Sequence, residues 1–206
     1  MYLENISNGG AIRIADQYIH PFSTITLFRT ENNEYGLIDA GNAIQTEYLQ
    51  NYFKKNGLST KDIRYIILTH VHLDHIYNSK FFPNATIYIH KKYKSKKYER
   101  FGEFLGKAYL EIINSWKKVI EINDGDMLFK KIKIIHTPYH SSEHVSLWIK
   151  DTNFGNVVMP GDICYNRIDY YDIIKGNRTD RVAEVLKTLF KKSEYVIFTH
   201  DAPMRI

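Results

Sequence analysis

The segment THVHLDH at 69–75 constrains this chain more than any other, because it continues directly from IRYIILT at 63–69. That nearly unbroken apolar run is of the kind that forms a strand covered on both faces. In extended chain, residues two apart point to the same side, so His70 and His72 present their imidazoles together, and Asp74 and His75 follow as the chain turns. Imidazole nitrogens and carboxylate oxygens bind zinc at about 2.0–2.2 Å, and so dense a cluster has no evident structural use. A solvated turn that happens to hold three histidines would not explain why they follow a buried strand. A metal site is the better reading.

The rest of the chain reads as alternating sheet and helix. Short β-like runs at 11–19, 24–30 and 35–41 suggest antiparallel pairing. Ile44, Tyr48, Leu49, Tyr52 and Phe53 then recur at helical spacing, with Lys54 and Lys55 in the last turn and Gly57 as the stop. A strand at 85–90 leads into a longer helical stripe of Tyr98, Phe101, Leu105, Tyr109, Ile112 and Trp116, read as core. KVIEIND, KIKIIHT, HVSLWIK and NVVMPGD read as four further strands, and Val182, Val185, Leu186, Leu189 and Phe190 as an amphipathic helix capped near Thr179. A final strand, YVIFTH at 195–200, echoes YIILTH at 65–70 in ending on a histidine. The pattern predicts two packed sheets flanked by helices, with polar residues gathered at strand ends.

Composition matters mainly for what it excludes. With 206 residues and no Pro-, Gly- or Ser-rich linker, residues 1–206 are expected to form one domain. A single cysteine, Cys164, rules out an intramolecular disulfide and any multi-cysteine zinc module, and fits a reducing compartment. The first residues carry no apolar leader and no run is long enough to span a bilayer, so a cytoplasmic protein with no membrane partner is expected. The net charge of +5 fits a lysine-rich solvated surface. The densest basic stretch, HKKYKSKKYER at 90–100, lacks an RNA-binding aromatic pattern, so nucleic acid is not the expected partner.

With these residues in view, the sequence resembles the metallo-β-lactamase-fold hydrolases, whose HxHxDH signature stands here as His70, His72, Asp74 and His75. Leu37-Ile38-Asp39-Ala40-Gly41, HTPYH at 136–140, Gly161-Asp162 and His200 supply the family's other loops in the same order, over nearly the whole chain. The resemblance implies an α/β fold, the four-layer αββα sandwich. It also implies two divalent metal ions, zinc first, with iron, manganese or cobalt as alternatives. One ion would be held by His70, His72 and His140, the other by Asp74, His75 and His200, with Asp162 bridging. A hydroxide shared by two such ions forms near neutral pH and attacks an ester-type carbonyl, with Asp74 orienting it and relaying the proton.

His20, His90, His136 and His144 stand outside that set, and Asp39 is expected to tie down its loop. Tyr139 and Glu143 replace loop glycines of the family; a left-handed backbone there would be strained, and Tyr139 is expected to pack as a loop aromatic. Cys164 is expected to be a buried small residue rather than a nucleophile.

Within the family, GDICY places Tyr165 three residues after Asp162, and HSSEHVSL with His200-Asp201 also resembles the N-acyl-homoserine lactonase-like branch. That likeness implies a small-molecule lactone or carboxylic ester as substrate and Tyr165, with Asp74, as a catalytic residue donating a hydrogen bond to the substrate oxygen. A packed rim tyrosine is the alternative for Tyr165. Two other activities share the ligands: a glyoxalase II-type thioesterase, for which Arg100, Arg167, Lys175 and Arg178 are candidate glutathione-gripping residues, and a nucleic-acid phosphodiesterase or ribonuclease. The oligomeric state, a homodimer included, is left open.

Overall fold

The run at 63–69 becomes an interior strand. In the computed structural model, which describes residues 1–206, the elements in chain order are β1 (Tyr2–Ser7), β2 (Gly10–Ile14), β3 (Tyr18–Phe22), β4 (Ile25–Arg29), β5 (Tyr35–Ile38), α1 (Thr46–Lys55) and β6 (Ile63–Ile67). They continue with the one-turn α2 (Leu73–Ile76), β7 (Thr86–His90), α3 (Gly102–Ser115), β8 (Lys118–Ile122), β9 (Met127–Leu128), β10 (Ile132–His136) and β11 (Val145–Thr152). Last come β12 (Gly155–Met159), α4 (Arg167–Lys175), α5 (Arg181–Phe190), β13 (Tyr195–Val196) and β14 (Met204–Arg205).

One six-stranded sheet runs β1-β4-β5-β6-β7-β8, the other β14-β13-β12-β11-β10-β9. β6 pairs in parallel with both β5 and β7, which is why its sequence is apolar on both faces. β13 runs parallel to β12 but antiparallel to the edge strand β14 on its other side.

Three separate hydrophobic cores require four layers. Ile66 packs on the outer side of the first sheet with Leu49 and Phe53 of α1 and Ile112 of α3. Its neighbour Ile67 points the other way, between the sheets, against Ile134, Leu147 and Val157. Val158 then faces Leu186 and Phe190 of α5 beyond the second sheet. Strand alternation thus builds the αββα sandwich that the sequence pattern predicts.

Several local expectations change. Residues 11–19 are not one strand: the chain reverses after Ile14, with Ala15 at φ 47°, and β2 and β3 form a separate antiparallel hairpin. Of the aromatic stripe, Tyr98, Tyr109 and Ile112 are buried, but Phe101 and Leu105 are exposed: residues 98–101 form a 3-10 turn ahead of α3, and the buried face of α3 runs through Gly106, Tyr109 and Ile112. Lys91, Lys92 and Lys94 lie on a short 3-10 turn and Lys96 and Lys97 in the link that follows it; they are mostly exposed and do not share one helix face. Asp180, not Thr179, caps α5, its carboxylate accepting the Ala183 N–H at 2.8 Å. Only Tyr195–Val196 of the last apolar run pairs as a strand. No helix is long and apolar enough to cross a membrane.

Two histidines outside the predicted ligand set join the sheets. His90, at the end of β7, stacks on His136, at the end of β10, with ring centroids 4.0 Å apart and planes 8° from parallel. Burial, then His136, Lys92 and Lys91, push the His90 pKa down to about 4 against a weaker opposing pull from Glu143. Its ordinary value is near 6.5, so the unfolded chain takes up the proton first, and stability is lost as pH falls from about 6.5 toward 4. Urea midpoints at pH 7 and pH 4.5 should therefore drop for the natural chain, and drop less for His90→Gln. Equal drops in both proteins would exclude this role.

Candidate metal centre

The predicted ligands arrive from both sheets at one edge of the sandwich. β6 runs out through Leu68 and Thr69 to His70; the extended His72 starts the single turn of α2, which carries Asp74 and His75. His140 lies in the loop between β10 and β11, Asp162 just after β12, and His200 after β13. Backbone bonds sew the edge together: Val145 N–H donates to the Thr69 carbonyl at 2.8 Å and Thr24 N–H to the Thr199 carbonyl at 2.7 Å.

Two donor groups result. His70, His72, His140 and Asp162 form one; Asp74, His75, His200 and Asp162 form the other, with the donor atoms of each group all within 4.8 Å of one another. His72 Nδ1 lies 2.9 Å from both His70 Nε2 and His140 Nε2. Asp162 Oδ2 lies 3.7 Å from His70 Nε2, 3.5 Å from His140 Nε2 and 3.4 Å from His200 Nε2, while Oδ1 lies 3.3 Å from His75 Nε2. Asp74 Oδ2 is 3.5 Å from His75 Nε2 and 3.7 Å from His200 Nε2. The structure therefore brings all seven residues together, in two groups that share Asp162.

The chemistry of the donors suits metal ions. Burial first, then neighbouring histidines or Lys96, holds His70 well below the usual imidazole range and His72 down at about 4; burial also lowers His140. These imidazoles are neutral at pH 7, with lone pairs free to coordinate. His75 differs: burial opposes its charge, but the carboxylates of Asp162, Asp39 and Asp74 outweigh it and raise its pKa. That cluster favours positive charge at this point. His75 Nε2 and Asp162 Oδ1 are buried and make no hydrogen bond, although they face each other. Buried polar atoms are seldom left so, and a shared cation would satisfy both. The two His/Asp clusters are suited to binding two metal ions.

A surrounding set of groups aims the ligands. Asp39, in a left-handed conformation at φ 53°, accepts from Thr69 N–H and Thr69 Oγ1–H at 2.8 Å each, and lies 2.8 Å from His75 Nδ1. With the Nδ1 proton given to Asp39, the Nε2 lone pair of His75 turns toward Asp162 and Asp74. The Phe22 carbonyl lies 3.1 Å from His200 Nδ1 and does the same for His200. Asp39 thus ties down its loop, as expected.

His144 is a residue that sequence reasoning left unassigned. It is fully buried; its Nδ1 meets Thr137 Oγ1 at 2.9 Å and its Nε2 accepts the Asp162 N–H at 2.9 Å. Burial drives its pKa down to about 3, so it stays neutral and keeps that acceptor. Gly161 makes the approach possible: a Cβ there would lie 2.3 Å from His144 Nε2, and its φ of +65° also favours glycine. The four-residue spacing from His140 is the signal that could have flagged His144.

The loop departures turn out differently from expectation. Neither Tyr139 nor Glu143 has a positive φ, so neither substitution strains the backbone, and Tyr139 is exposed rather than packed. Cys164 is buried and its thiol pKa is pushed up by burial, which leaves it unreactive.

The donors open into a cavity of about 340 Å³ that is also lined by Ala11 and Pro21 of the β2–β3 hairpin and by Tyr165. Tyr165 Oη lies 3.2 Å from His140 Nδ1. No lysine or arginine lines the cavity.

The chain is similar to several known proteins. An N-acyl homoserine lactonase of Bacillus thuringiensis is 27% identical over 168 residues, covering 76% of this chain; the match spans 63% of the lactonase's own length. A Thermotoga maritima protein assigned to the metallo-beta-lactamases has a crystal structure that superimposes with a TM-score of 0.93 at 38% identity, covering 100% of this chain and 99% of that one. The dizinc quorum-quenching lactonase AidC shares the fold, with a TM-score of 0.69 at 20% identity over 89% of this chain and 74% of that one. The family profile of the metallo-beta-lactamase superfamily matches residues 20–200, and with the two donor groups in place the chain belongs to that superfamily.

Proposed function

We propose that this chain is a dinuclear metal-dependent hydrolase acting on a lactone or carboxylic ester, with zinc as the metal. The observation that carries the reading is the pair of donor groups sharing Asp162 at the floor of a single open cavity. Nitrogen-rich sites with a carboxylate and an open position suit zinc. Two ions held there would polarise a carbonyl and bring the pKa of a shared water from 15.7 to about 7.

The chain's own groups supply the rest. His70, His72 and His140 would hold one ion, Asp74, His75 and His200 the other, with Asp162 between them. Asp74 is only slightly exposed and reaches the cavity, where it can orient the nucleophile and pass its proton to the leaving group. Were His140 to hold its ion through Nε2, its Nδ1–H would donate to Tyr165 Oη, 3.2 Å away, and leave the phenolic proton free to point into the cavity. Burial, then Asp162, raises the Tyr165 pKa, so the phenol stays a donor at neutral pH and can stabilise the developing oxyanion. Residues 1–206 would act as one domain, since each donor group draws on both sheets.

The cavity chemistry favours a small uncharged ester over the other two substrates. Arg167 is engaged with Asp201 at 2.8 Å and Arg178 with Asp180 at 3.0 Å, which weakens the case for a glutathione grip. A phosphodiester would find no lysine or arginine in the cavity lining. A panel of lactones, carboxylic esters, acyl-glutathiones and phosphodiesters, assayed with the zinc-loaded protein, tests the assignment; the fastest turnover should fall on a lactone or ester, and preferential cleavage of either other class would replace it. On that substrate, Tyr165→Phe should cost about 10²-fold in kcat with little change in KM. Full turnover in the variant would assign Tyr165 to the cavity wall alone.

A further inference from the structure

One buried ion pair lies outside the donor groups yet holds one of them at two points. Val71 sits between His70 and His72, and its carbonyl accepts from Lys96 Nζ at 3.0 Å. Its N–H donates to Glu143 Oε1 at 3.3 Å, and Lys96 Nζ completes the triangle with the same oxygen at 2.8 Å. The Glu143 side chain is 1% exposed and that of Lys96 13%. Glu143 lies three residues after His140 and immediately before His144, so the pair links the backbone between two imidazoles to the loop that carries the third.

Stability alone gives little reason to bury this pair, because an apolar contact of similar volume would serve as well or better. What the ions provide is a fixed register. Both polar atoms of one peptide residue are gripped, and a shift of either loop would leave a buried charge or a buried backbone group unpaired. The second donor group is aimed separately, His75 by Asp39 and His200 by the Phe22 carbonyl.

Resting on the ligand set proposed above, we infer that Lys96 and Glu143 are positioning residues for the His70–His72–His140 group. They set the spacing of those imidazoles and so the affinity for the ion held there, without touching it. The group of Asp74, His75 and His200 does not depend on them.

The test is a titration of metal-free protein with cobalt(II) or zinc against a competing chelator, for the natural chain, Glu143→Gln, Lys96→Arg and the charge-free double variant Lys96→Met/Glu143→Gln. The double variant leaves no unpaired ion and so remains informative if the single change prevents folding. In Glu143→Gln and the double variant, one of the two affinities should fall about 10–100-fold while the other stays within about threefold. The cobalt absorption of the three-nitrogen site should change with it, and Lys96→Arg, which keeps the charge, should retain most of the affinity. Two unchanged affinities in a folded variant, or two that weaken by the same factor, would overturn the inference. A natural chain that takes up no ion would overturn the ligand set as well, a result separable from both.

Discussion

Asp162→Ala is expected to release both metal ions and to lower kcat/KM by about 10³-fold or more, the equivalent of roughly 4 kcal/mol of lost transition-state stabilisation. Asp162 is the only residue common to the two donor groups. Its two oxygens face four imidazoles: Oδ2 those of His70, His140 and His200, and Oδ1 that of His75. Its backbone N–H is pinned by His144, so the carboxylate has little freedom to be replaced by a neighbour. Loss of any one histidine removes a ligand from one group, whereas loss of Asp162 removes one from each. Metal content and steady-state kinetics on the same preparation check this; a variant that keeps two ions and its turnover would show that Asp162 is only a turn residue.

Stripping the metal should also cost stability. An ion present at about a thousand times its dissociation constant stabilises the folded state by about 4 kcal/mol, so two contribute about 8 kcal/mol. For a chain of this size each kcal/mol moves the midpoint by about 2–4 °C, which places the expected fall in Tm on the order of 20 °C. The physical source is the cluster itself: Asp39, Asp74 and Asp162 crowd around His75, and His75 Nε2 and Asp162 Oδ1 have no hydrogen-bond partner in the protein. Differential scanning calorimetry before and after chelation, with zinc added back, measures the effect. An unchanged midpoint would mean that the cluster is stable as a purely polar core and is not built around ions.

Much of this was legible because the site lies at strand ends. Alternation puts His70 and His72 on one side of an extended segment, and the buried strand before them fixes where they emerge; their nitrogens are 2.9 Å apart. The layering was readable for the same reason, since Ile66 and Ile67 belong to different cores. Elements without a periodic signal were missed. α4 exposes Ile168, Tyr171 and Ile174 and buries only Ile173, so it has no apolar stripe; its Asn166 cap and left-handed Gly176 were the signals available. β1 went unrecognised, although Leu3 and Ile6 are buried and it pairs with β4. The β2–β3 hairpin reads as one strand in the sequence because the turn at Ala15 contains neither glycine nor proline. Glu143 could be recognised as a departure, but its use depends on Lys96, 47 residues away, and no local pattern reveals that.

The most direct test of the account is the metal content of the purified chain after reconstitution with zinc and removal of free ion, measured by elemental analysis against protein concentration. Two ions per chain are predicted, falling to none when Asp162 is replaced by alanine. A natural chain that remains folded and holds no transition metal would contradict the account.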